Sequence, residues 1–223
     1  MSAILELRGV TKTYGTRIKT EVLHGIDLAV PRGDFLAITG QSGSGKTTLL
    51  NIMGLLDRPT NGTLAVNSVD TAGMDDEAIT ALRGRTLGFV FQFHHLLPAL
   101  TVIENVMMPL MADKGRETPG MRDAAAALLK RVGLGERLNY KPDEISGGQR
   151  QRAAIARALA MKPAVILADE PTGNLDSVSS GEVFALMREL NKSDGTAFCV
   201  VTHAADIAKQ CDRIVEIVDG RLV

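Results

Sequence analysis

Cysteine and net charge are scarce in this sequence, and long apolar runs are missing. Cys199 lies within an apolar stretch and Cys211 beyond it, so there is no disulfide framework and a reducing compartment fits better. A formal net charge of −1 with a pI near 6.4 gives no basic field able to gather nucleic acid or anionic lipid by electrostatics alone. Nucleic acid is therefore not an expected partner. No segment approaches the roughly eighteen apolar residues of a membrane-spanning helix. The start, MSAILELRGV, lacks the basic-then-apolar pattern of a secretory signal. The chain is expected to stay in the cytosol. It has no internal repeat, low-complexity tract or Gly/Ser/Pro linker that would divide it.

What remains is ordinary globular material: 223 residues, 45% apolar and 23% charged, enough for one sizeable core. The segments AILELRGVTKTYG and VLHGIDLAVPRGD read as short antiparallel strands broken by turns. FLAIT (Phe35 to Thr39) is a nearly continuous apolar run that enters a glycine loop, and TLLNIMGLL after it has helical character. Near the end, AVILAD (Ala164 to Asp169), a helix around Gly181 to Leu190 and AFCVVTH repeat the alternation. Strands alternating with helices predict a mainly parallel sheet covered on both faces. Between them, residues 93–160 carry helical patterns such as DAAAALLKRVG. The expectation is one α/β domain in which 1–92 and 161–223 form the β-rich portion and core, and 93–160 form an inserted helical subdomain.

Chemistry begins at GQSGSGKTT, comprising Gly40, Gln41, Ser42, Gly43, Ser44, Gly45, Lys46, Thr47 and Thr48. It matches the phosphate-loop pattern through Gly40, Gly45, Lys46 and Thr47. Glycines let backbone N–H groups turn inward around phosphate oxygens, Lys46 brings a charge to the β and γ phosphates, and Thr47 offers a hydroxyl to Mg²⁺. ATP and Mg²⁺ are the implied ligands. AVILADEPTGNLDS supplies the complement: a strand delivers Asp169 where Mg²⁺ needs an oxygen partner, and Glu170 leaves the strand where it can polarise a water. A second phosphate-type loop follows the first by about a hundred residues. In ISGGQRQR, Ser146 and Gln149 have capping-box spacing ahead of a helix whose free N–H groups favour an anion. Gly147 and Gly148 in its first turn cost helix propensity and need a reason, such as close backbone approach to a ligand.

The set GQSGSGKT, ISGGQ and VILADE, together with Gln92, NLDS and His203, resembles the nucleotide-binding subunits of ABC transporters over essentially the whole chain. The resemblance implies a phosphate-loop ATPase in which two copies pair head to tail around two ATPs. Ser146, Gly147, Gly148 and Gln149 would reach the γ phosphate held by the other copy. It further implies that Tyr14 stacks on adenine, Gln92 senses Mg²⁺ and the attacking water, Asp176 bridges the subunits, and His203 contacts the γ phosphate. There are two departures from the family's commoner residues: Ala204 and Ala205 follow the histidine where an aspartate is usual, and Thr47 stands where serine is usual, keeping the hydroxyl.

Residues 89–110 (FVFQFHHLLPALTVIENVMMPL) and 166–176 (ILADEPTGNLD) look like the subfamily serving lipoprotein release and macrolide or haem export, with FHHLLP leaning toward lipoprotein release. That resemblance places the protein on the cytoplasmic face of a bacterial inner membrane. Leu96, Leu97, Leu100, Val102, Val106, Met107, Met108 and Leu110 are more apolar residues than one amphipathic face needs, so some are expected to form a groove for a membrane partner at about residues 93–111. The alternatives are a soluble mechanochemical ATPase, disfavoured by a single motif set and no sustained heptads, and a phosphate-loop kinase, which leaves ISGGQ unexplained.

Overall fold

Strands buried on both faces need no polar alternation, and the central strands of this protein have none. The computed structural model describes residues 3–223. In chain order its first elements are β1 (Ala3–Tyr14), β2 (Thr20–Pro31), β3 (Phe35–Thr39), α1 (Lys46–Met53), β4 (Asn61–Val66), β5 (Val69–Asp70), α2 (Asp76–Thr86) and β6 (Leu87–Phe91). A helical stretch follows, with α3 (Val102–Lys114), α4 (Met121–Arg131), two short 3₁₀ turns and α5 (Gly147–Leu159). Then come β7 (Val165–Asp169), α6 (Ser177–Asp194), β8 (Ala197–Val201), α7 (Ala205–Ala208), β9 (Arg213–Val218) and β10 (Arg221–Leu222).

Two sheets result, one of order β2-β1-β4-β5 and one of order β10-β9-β3-β8-β7-β6. The first is antiparallel; the second is parallel except for its β10 edge. The two N-terminal strands are each 12 residues long, longer than the turn signals suggest. Register shifts absorb the turn residues: pairing slips between Leu7 and Val10, where Gly9 takes φ 56°. FLAIT forms a strand over the predicted residues, whereas the helix expected at Gly181 to Leu190 runs from Ser177 to Asp194 because Asp176 caps it. Asp176 Oδ1 accepts from Val178 N and Ser179 N at 3.1 and 2.9 Å.

Register decides where the site falls. Ile38 pairs with Val201, Asp169 with Val201, and Phe91 with Asp169. The carboxyl ends of β3, β8, β7 and β6 therefore lie side by side on one edge, the edge at which open α/β sheets bind ligands. Beneath it, Leu36, Ile38, Leu49, Ile52 and Leu167 join the two sheets in one core, while Phe35, Phe198, Phe184 and Met187 pack α6 on the opposite face. A third cluster, including Val102, Ile103, Val106, Leu129 and Ala153, belongs to α3, α4 and α5.

Candidate functional site

The loop between β3 and α1 is built around glycine. Gly40 has φ 142°, and a Cβ there would lie 2.3 Å from the Ile217 carbonyl oxygen, so no larger residue fits without moving backbone. Gly45 precedes α1 at φ 108°, and that helix has no side-chain cap and no acidic residue in its first turn. Its free N–H groups and positive dipole end are left for an anion. Lys46 Nζ folds back over the loop, donating to Gly40 O and Gln41 O at 2.8 and 2.7 Å. Ser44 Oγ is buried without a hydrogen-bond partner.

Opposite the loop, the ends of β7 and β8 deliver their side chains into the same cleft. It encloses about 390 Å³ and is lined by Ser42, Gly43, Lys46, Thr47, Thr48, Asp169, Glu170 and His203, with Val22 of β2 contributing an apolar contact. Asp169 has its pKa raised by burial and then by the neighbouring Glu170, against a smaller lowering from Lys46. It is an anion short of counter-charge. Glu170 sits in the left-handed region at φ 45°, a strained conformation for a residue with a side chain, with its N–H bonded to Val201 O at 2.9 Å. Its Oε1 lies 2.8 Å from His203 Nδ1; the carboxylate is 18% exposed and the imidazole 74%. Ala204 and Ala205, which follow the histidine, bring no carboxylate to it, and its side-chain partner is Glu170.

Other sequence-selected residues lie outside that lining. Gln41 is exposed. Gln92, just beyond β6, donates to Asn174 Oδ1 at 2.9 Å. Tyr14 is 40% exposed at the end of β1. Its hydroxyl donates to Asp57 Oδ2 at 2.8 Å, and Lys12 Nζ stands 4.9 Å from its ring centroid. Burial and then the Asp57 bond push the Tyr14 pKa up. Lys12 also bonds Asp57 at 2.5 Å, so the ring is held between Lys12 and Asp57 while part of it stays exposed. This clamp was not legible in the sequence, since Tyr14 and Asp57 lie 43 residues apart. Nor was Asn174 as the anchor of Gln92; only the turn chemistry of PTGN could have hinted at it.

The second loop caps α5 as its spacing predicts: Gln149 N donates to Ser146 Oγ at 3.2 Å, and Ser146 N to Gln149 Oε1 at 2.9 Å. The glycines differ in their reasons. A Cβ on buried Gly148 would crowd Ser179 of α6 at 3.2 Å, so close helix contact within the chain accounts for that glycine. At half-buried Gly147 a Cβ would meet only Leu175 Cδ2 at 3.4 Å, ordinary contact, and the chain itself makes no such demand. None of the four loop residues lines the cleft of its own chain, and neither does Asp176.

Of the apolar residues at 93–111, Val102, Val106 and Met107 are core. Leu96 and Leu110 pack partly against that core, whereas Leu97 is 45% exposed. Met108 lines a groove of about 410 Å³ with Leu56, Phe89, Phe91, Pro109 and Met161.

A phosphate loop at the strand edge, facing two carboxylates and a histidine, with a second glycine loop on a helical segment, defines a nucleotide-hydrolysing cassette. Comparison with known proteins agrees. Residues 23–173 match the family model for ABC transporters. The chain is 56% identical over 224 residues to a lipoprotein-releasing system ATP-binding protein, LolD 1, of Rhodopseudomonas palustris, covering 100% of this chain and 99% of that protein. It is 58% identical over 220 residues to the LolD of Anaeromyxobacter dehalogenans, covering 98% and 92%. Among solved structures, a dimeric ATP-binding cassette in a post-hydrolysis state with ADP and phosphate is similar at TM-score 0.88 and 41% identity, covering 98% of this chain and 96% of that one. The chain belongs to the ABC transporter family as one of its ATP-binding, ATP-hydrolysing cassettes.

Proposed function

We propose that the protein is the ATPase of a bacterial lipoprotein-releasing transporter, working as a head-to-tail pair on the cytoplasmic face of the inner membrane. The observation that carries the pairing is the position of Ser146 to Gln149: an anion-favouring helix start, with a glycine the chain itself does not require, outside the cleft of its own chain. A second copy brings that loop to the first copy's nucleotide. The names of the relatives support the lipoprotein system, and the dimeric neighbour supports a pair.

In this reading the part-exposed ring of Tyr14 stacks on adenine. Residues 40–48 hold the phosphates, and Lys46 exchanges its bonds to Gly40 O and Gln41 O for the β and γ phosphates. Glu170 accepts a proton from the attacking water, and His203, held by Glu170, reaches the γ phosphate. Asp176 lies beside the subunit boundary, where it also caps α6. The cleft fits Mg²⁺: the Thr47 hydroxyl and the charge-short Asp169 carboxyl are hard oxygen donors in one place, and Gln92 follows Phe91, the register partner of Asp169. When bound, Mg²⁺ neutralises charge on the β and γ phosphates.

Residues 93–160 act as the inserted helical subdomain, and the groove beside Met108 takes an apolar cytoplasmic segment of the membrane partner. No helix among the described residues is long and apolar enough to cross a membrane. Attachment in this reading is peripheral and depends on the groove.

The test is Ser146→Arg. ATP binding by the monomer should stay within about threefold, since the target of Ser146 is on the other copy, while hydrolysis falls by about a hundredfold or more. Wild-type turnover by this variant would refute head-to-tail pairing.

A further inference from the structure

Gln92 opens a stretch, residues 92–101, that forms neither helix nor strand. Its conformation is nonetheless fixed: Asn105 of α3 and Lys141 hold its far part, bonding Leu97 O and Ala99 O at 3.1 and 2.7 Å, and donors from α5 hold the part next to Gln92. From α5, Gln151 Nε2 donates to Phe91 O at 3.3 Å, and the Arg157 guanidinium donates through Nη2 to His94 O at 2.8 Å and through Nη1 to His95 O at 2.6 Å. His95 takes φ 49°, a backbone conformation rare for residues with a Cβ, and its ring meets Phe91 edge-on at 5.2 Å. The loop is thus pinned on both sides of Gln92.

The fork that does most of this is unusual in its surroundings. Burial draws the Arg157 pKa below its usual value, with no charged neighbour offsetting the cost. A half-buried cation without an acid needs other compensation. A planar guanidinium with several donors can meet two successive carbonyls at once, which the single ammonium of lysine cannot do in the same geometry. Arg157 also lines the groove beside Met108 and Phe91, so the loop is held from the wall of that surface.

We propose that Arg157 is a positioning residue for hydrolysis: its bonds to His94 O and His95 O hold the loop that sets the direction of Gln92. This rests on the role given to Gln92 above. Upstream of Gln92 the chain is anchored by the pairing of Phe91 with Asp169, and the fork supplies the anchor just downstream of it, at His94 and His95. Without the fork Gln92 keeps its attachment to β6 but loses a fixed direction, and its bond to Asn174 becomes one of several options. ATP binding does not pass through this loop, whereas placement of the water does.

The experiment is a double-mutant cycle on purified protein, reading kcat, ATP affinity and melting temperature. Arg157→Met keeps the length and packing without the donors; Arg157→Lys keeps the charge without the fork. Arg157→Met should lower kcat by about tenfold or more while leaving ATP affinity within about twofold, because misplacement of a reacting group costs rate rather than binding. Arg157→Lys should recover part of that loss. In a Gln92→Ala background, Arg157→Met should cost less than about twofold further, since two residues acting as one unit do not add. Independent, multiplicative losses would overturn the proposal, as would an unchanged kcat in Arg157→Met. If that variant does not fold, the cycle with Arg157→Lys is read by the same rule. A Gln92→Ala protein turning over at the wild-type rate would instead remove the role of Gln92, and the positioning role with it.

Discussion

Glu170→Gln separates chemistry from architecture more cleanly than any other change in the cleft. The amide keeps the shape of the carboxylate, and its oxygen can still accept from His203 Nδ1, so the 2.8 Å contact survives as a neutral hydrogen bond. With the imidazole 74% exposed, that contact contributes little: pairs of this kind give at most about 1 kcal/mol, and only part is lost. For a domain of this size a loss of about 0.5 kcal/mol moves the melting temperature by about 1–2 °C. The backbone strain at φ 45° is the same in both proteins and cancels. What disappears is the proton acceptor, which should slow hydrolysis about 10²- to 10⁴-fold, equivalent to a barrier higher by about 3–5 kcal/mol. Neutralising the side chain also removes a like charge beside Asp169 and the γ phosphate, so the ATP-bound pair should persist. Phosphate release, thermal unfolding and gel filtration with Mg²⁺ and ATP read the three effects separately. The expected result is a slow enzyme of nearly unchanged stability that elutes as a dimer at concentrations where the wild type returns to monomer. Near-wild-type turnover would refute the role of Glu170, and a monomer that binds ATP normally would refute pairing around nucleotide. A melting temperature lowered by more than about 6 °C would show that the carboxylate is structural.

Two further outcomes follow from the surroundings. Asp57→Asn should raise the KM for ATP more than it lowers kcat, because the clamp on Tyr14 loosens while the cleft does not change. Although burial works in the opposite direction, bonds from Lys12, Tyr14 and Arg58 N hold the Asp57 pKa below its usual value of 3.8. Its contribution to stability is therefore present above that ordinary value and is lost as pH falls through the lowered one. The melting-temperature deficit of Asp57→Asn should accordingly be full at pH 7 and shrink as pH falls below 3.8; a deficit independent of pH would mean the carboxylate's charge plays no part. Leu97→Asp and Met108→Asp should weaken assembly with the membrane partner, measured by co-purification, more than they lower basal ATPase activity. Equal loss of both with a lowered melting temperature would assign these side chains to the core.

Much of this protein was legible along the chain because its chemistry is local. The phosphate loop is contiguous, and its glycines, lysine and threonine announce a phosphate cradle before any fold is known. The runs FLAIT, VILAD and AFCVV are apolar throughout, as strands buried on both faces must be, and they formed β3, β7 and β8. The capping pair Ser146 and Gln149 likewise needs only its own turn. The two-residue strands and the bulges of β1 were less legible, since pairing partners rather than propensity fix them.

Tertiary structure decided what stands beside what. Sheet order placed β8 between β3 and β7, bringing His203 against Glu170 across 33 residues of sequence. Packing of α5 on α6 assigned Gly148 to a helix contact, an alternative that glycine's low helix propensity could not distinguish from a ligand contact. The clamp on Tyr14 and the fork of Arg157 have no sequence signature, because each depends on a side chain meeting atoms 43 to 63 residues away. Sequence alone determined which chemical groups are available and how each turn of backbone is built. Long-range register and burial then set the distances and dielectric surroundings, and hence which of those groups can act together.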